Sequence, residues 1–150
     1  MRIGCSILLA LAMGAERFIF KKPVDFRPFV IISLASCGLA LLIGELPFTS
    51  SDENLSIDPA KVISGVMSGI GFLGAGALVR EGDIVKGAGS AASIWSAGAI
   101  GLICGLGFIW LAALVAVGVV TLFLLSRRFV DTGPYTTRTE EKIESKTDQT

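Results

Sequence analysis

The chain has 150 residues, of which 52% are hydrophobic and only 17% charged, and its 13 basic and 13 acidic side chains balance to a net charge of zero. That balance is foreign to ordinary soluble domains, and without a basic field it gives no footing for nucleic acid. Histidine is absent, which removes Ser-His-Asp hydrolysis and histidine-ligated zinc from consideration.

The apolar residues fall into five stretches, at about 3–20, 29–47, 62–79, 89–106 and 108–126. Each approaches the ~20 residues that a helix needs to cross a ~30 Å hydrocarbon core. The expected fold is an all-α membrane protein of about five transmembrane helices, with a membrane domain over residues 1–128 and a disordered polar cytoplasmic tail over 129–150. The three cysteines, Cys5, Cys37 and Cys104, are far apart and lie inside apolar runs, so they read as small packing residues.

The first stretch meets charge early, at Glu16 and Arg17. An ionised group in mid-membrane costs about 2.5–3.5 kcal/mol on insertion scales and needs a partner or water. Glu16, Arg17, Arg27, Arg80, Glu81 and Asp83 all fall near the ends of spans on one side, so a charge cluster is expected there. An ion-pair network is one reading of it; a site for Mg²⁺ or a proton is the other, since hard oxygen ligands suit Mg²⁺. No other cofactor is indicated.

Orientation follows from the basic residues, because positively charged loops stay in the cytoplasm. Arg17, Lys21, Lys22 and Arg27 follow the first span, Arg80 and Lys86 the third, and Arg127 and Arg128 the fifth. Five spans then place the N-terminus outside and the C-terminus in the cytoplasm.

The third span carries Gly65, Gly69, Gly71 and Gly74, and residues 69–74 spell GxGxxG. A dinucleotide site is not supported, since no strand leads into the motif and the acidic position about twenty residues on is Ile94. Close helix packing is the favoured reading; a broken or partly unwound span is the alternative. In the fourth span Gly89, Ser93, Ala97, Gly101 and Gly105 recur every four residues and form one stripe against which a neighbour should lie. The glycines at 105 and 107 permit a tight reversal, so the last two spans read as a helical hairpin.

Residues 70–82, IGFLGAGALVREG, and the segment KGAGSAASIWSAGAIGLICGLGF ending at Phe108 resemble the MgtC/SapB family of bacterial membrane proteins. GAER at 14–17, Arg27 downstream of a KP pair, and Asp58-Pro59 add to the resemblance, which covers nearly all of residues 2–125. This chain departs from the family pattern at Lys86 and at Gly89-Ser90, where Arg and a Thr- or Asn-containing pair are usual. Longer members also carry a soluble C-terminal domain that the short tail here does not match.

The resemblance implies an inner-membrane protein, associated with virulence in some members and linked to growth at low magnesium or to acid stress. It implies regulation of other membrane machinery, ATP synthase among it for some members. Since no nucleophile-base pair can be assembled from the chain, the expected role is non-enzymatic, through contact with another membrane protein or with a second copy of the chain in a homodimer. The fourth-span stripe is the expected contact surface, so Ala97→Leu or Gly101→Leu should impair partner binding. The alternative is a magnesium or proton transporter that uses the carboxylates of the charge cluster.

Overall fold

The computed structural model describes residues 1–19, 25–49, 57–81 and 84–130. Five helices account for most of them: α1 (Arg2–Ile19), α2 (Arg27–Thr49), α3 (Pro59–Gly76), α4 (Ala88–Gly105) and α5 (Ile109–Val130). Among the described residues, three helices are long and apolar enough to cross a membrane, namely α2, α4 and α5; α1 holds a shorter apolar stretch, Arg2–Ala15. The chain divides into two compact units, Met1–Val120 and Thr121–Thr150. In the second, the described residues continue α5 with Leu122, Leu124 and Leu125 exposed. The helix runs on to Val130, past the expected start of the tail, and residues 131–150 lie outside the described residues.

Local signals set the helix boundaries. Asp25 accepts the Arg27 backbone N–H on Oδ1 at 3.2 Å, just where α2 begins. Asp58 is the N-cap of α3; its Oδ1 accepts the Ala60 N–H at 2.9 Å, and Pro59 supplies a first helical residue with no N–H to satisfy. The third span is one continuous helix from Pro59 to Gly76, which decides against a broken span.

The third span also ends earlier than expected. Val79 belongs to a short antiparallel ribbon, β1 (Val79–Glu81) and β2 (Ile84–Lys86), in which Val79 pairs with Lys86 and Arg80 with Val85. The apolar run through Val79 hid this boundary, because β-branched residues suit a strand as well as a membrane helix. Gly87 then takes φ 93°, and a Cβ there would overlap the Ala77 carbonyl oxygen, so glycine admits the chain to α4.

Gly107, at φ 96°, makes the second left-handed turn. Its N–H donates to Cys104 O at 3.0 Å and that of Phe108 to Ile103 O at 3.1 Å, a Schellman closure of α4. The reversal expected near Gly105-Leu106-Gly107 is built on this pair.

The core of the first unit gathers Met13 of α1, Cys37 of α2, Ile100 and Cys104 of α4, and Ala112 and Ala116 of α5. Leu9, Leu41, Ile103, Val115 and Val119 pack around it. Most of these side chains are small, while large apolar ones such as Leu8, Ile31, Leu114 and Val117 face outward. Such an arrangement would waste apolar area in water but suits a bilayer, where close packing rather than hydrophobic burial joins helices.

Candidate functional site

The centre of the fold is the crossing of α2 and α4. Gly101 lies against Ser33: a Cβ at residue 101 would overlap the Ser33 carbonyl oxygen and stand 2.8 Å from its carbonyl carbon. One turn on, a Cβ at Gly105 would meet Ala40 Cβ at 2.5 Å and Cys37 O at 2.6 Å. Two glycines four apart thus face a small-residue ridge of Ser33, Cys37 and Ala40, all buried. Only a bare backbone allows this approach.

Ser93 and Ala97 are buried on the same stripe, and Ser93 Oγ donates back to Gly89 O at 2.8 Å. Gly89 itself is exposed. At Gly101, α2 of the same chain lies against the stripe, and Ala97 is fully buried, so the bulk of Ala97→Leu or Gly101→Leu would disturb packing within the chain as well as any partner contact. The stripe's spacing revealed a contact but could not reveal whose helix makes it.

A polar layer joins α1 to α2 at the same level. Ser6 and Ser33 share a hydrogen bond of 2.9 Å between their hydroxyls, and Ser33 Oγ also lies 3.3 Å from Ser6 O, to which it can donate. Both serines are fully buried, and Ser36 nearly so. The sequence reading missed this layer, although the small residues at 33, 36, 37 and 40 recur at helical spacing and could have signalled a packing face.

The third span distributes its glycines unequally. Gly74 lies close to α4, where a Cβ would stand 3.3 Å from Ala91 O, and Ile70 lies over Gly98. By contrast, a Cβ on Gly65, Gly69 or Gly71 would meet nothing within 4 Å among the described residues. Gly65 and Gly69 share an exposed face with Ser64, Ser68 and Phe72. Among the described residues, no neighbour takes up the expected GxxxG contact of Gly65 and Gly69.

Most of the expected charge cluster lies beyond view. The side chains of Glu16, Arg17 and Glu81, and the whole of Asp83, are outside the described residues. Arg27 makes an exposed pair with Asp25, Nε to Oδ2 at 3.3 Å, and Arg80 sits exposed on β1. Among the described residues, no group of three or more Cys, Asp or Glu side chains could hold a metal ion.

A mainly helical chain with outward apolar residues, a small-residue core and three helices of spanning length defines a membrane protein of helical-bundle type. Residues 3–132 match the model of the MgtC family, and the chain belongs to that family. It is 36% identical over 102 residues to Protein MgtC of Salmonella typhimurium, covering 68% of this chain and 41% of that one. To Protein SapB of Bacillus subtilis it is 30% identical over 110 residues, covering 72% and 47%. An uncharacterised protein of Haemophilus influenzae is 32% identical over 124 residues, covering 81% and 52%. The chain spans about half the length of these relatives. No solved structure matches it.

Proposed function

We propose that this protein is a non-enzymatic adaptation factor of the bacterial inner membrane, serving growth at low magnesium or in acid, and that it acts by contact with another membrane protein. In this reading all five helices are embedded, the N-terminus is outside, and the basic residues Arg27, Arg80 and Lys86 lie on the cytoplasmic side. Membership of the MgtC family supports the class. The observation that carries the contact mechanism is the exposed face of α3, where Gly65 and Gly69 meet nothing among the described residues.

Substituting that face separates function from folding. Gly69→Leu should accumulate in membranes with unchanged helicity yet fail to restore low-magnesium growth to a strain lacking the protein. Full restoration by a well-expressed Gly69→Leu protein would overturn the contact role of α3.

A further inference from the structure

The end of the bundle where α1 begins and α2 and α4 finish holds an open cleft of about 420 Å³, lined by Met1, Arg2, Ile3, Leu41 and Glu45. Arg2 is anchored there. Its Nη1 donates to the Gly105 carbonyl at 3.2 Å, and its Nη2 lies beside the α4–α5 turn, 3.2 Å from where a Cβ on Gly107 would stand. Gly105 takes one N–H of a guanidinium that has five. The same cleft presents the Glu45 carboxylate, with Ile3 and Leu41 supplying apolar wall.

Exposed aromatics mark the level of this cleft. Phe48 follows Glu45 by three residues on α2, and Phe108 and Trp110 flank the turn that Arg2 approaches; these three are 88%, 53% and 68% exposed. Outward tryptophan at a helix end belongs at the lipid headgroup level, so Trp110 sets that level here. The cleft therefore joins a cation, an anion and apolar wall at the depth where headgroup meets acyl chain.

We propose that this cleft binds a zwitterionic phospholipid headgroup carrying a primary ammonium, of the ethanolamine type. The guanidinium pairs with the phosphate and the carboxylate accepts from the ammonium, while the first methylenes of the chains lie along Ile3 and Leu41. A glycerol headgroup has an anionic phosphate but no ammonium to donate to Glu45. A choline headgroup has the cation but no N–H to donate.

The test is native mass spectrometry of the full chain released from micelles doped equally with ethanolamine, glycerol and choline phospholipids. The ethanolamine lipid should be retained about tenfold over the other two, the order that one charge-assisted hydrogen bond supports. Glu45→Gln, an exposed substitution, should abolish that preference while total lipid retention stays. Arg2→Gln should lower retention of all three classes. Equal retention of the three by the unmodified protein, or a preference that survives Glu45→Gln, would overturn the proposal. So would displacement of the lipid by millimolar water-soluble phosphoethanolamine, which would make a free zwitterion the occupant.

Discussion

Substitution of Gly101 by alanine tests the α2–α4 crossing with a single methyl group. The new Cβ would overlap the Ser33 carbonyl oxygen and lie 2.8 Å from its carbon and 2.9 Å from its Cα. All three atoms are backbone, so no rotamer change relieves the clash. The helices would have to separate by about 1 Å to bring the Ser33 oxygen out to an ordinary contact of ~3.2 Å, and gaps of that size forfeit up to roughly half of each dispersion contact around them. Overpacking of this kind costs about 1–3 kcal/mol. Alanine also gains up to about 1 kcal/mol over glycine in helix propensity, so the raw effect understates the clash. Gly69→Ala supplies the reference, since its methyl meets nothing within 4 Å and shares the propensity gain. Unfolding in mixed micelles titrated with denaturing detergent, followed by helicity, should place Gly101→Ala about 1–3 kcal/mol below Gly69→Ala. Equal stability of the two variants would refute the crossing.

Three further outcomes are expected. A double-mutant cycle on Ser6→Ala and Ser33→Ala, read by the same unfolding titration, should give a coupling of about 0.6 kcal/mol and no more than about 1.7, the range found for hydrogen bonds between membrane helices. Gly87→Ala combines positive φ with overlap of the Ala77 carbonyl oxygen, whereas Gly107→Ala meets only the movable end of Arg2. Both should lose about 1–2 kcal/mol to the left-handed backbone, but Gly87→Ala should lose clearly more, visible as a lower thermal midpoint. Liposomes containing the purified protein should pass neither Mg²⁺ nor H⁺ above empty controls; flux abolished by Glu16→Gln would instead establish transport.

Much of the fold was legible in its apolar runs: the five stretches lie within a few residues of α1 to α5, and α2, α4 and α5 have the length and apolarity that crossing a bilayer requires. The ribbon at Val79–Lys86 was not, since Val79 continued an apolar run and nothing in composition distinguishes the last turn of a helix from a strand there. The stripe of Gly101 and Gly105 announced close contact, but sequence spacing does not name the partner helix, and Ser33, Cys37 and Ala40 were read only as part of an apolar span. The Arg2 anchor on Gly105 joins residues 103 positions apart and is invisible to any local pattern.

The contrast between α3 and α4 bears on function for an energetic reason. Glycine in a helix interior is less favourable than alanine by up to about 1 kcal/mol, so each one needs something that offsets it. On α4 the offset is visible: Gly101 and Gly105 let α2 approach to backbone contact, where even a methyl group would collide. On α3 Gly65 and Gly69 carry the same local cost and meet nothing among the described residues. A face turned only to lipid would gain contact from leucine at those positions and loses it with glycine, serine and glycine again at 65, 68 and 69. Under the proposed contact role, another helix with its own side chains would fill the space the glycines leave and make that deficit good. Folding thus explains Gly101 and Gly105 of α4, and the partner contact proposed above would account for Gly65 and Gly69 of α3.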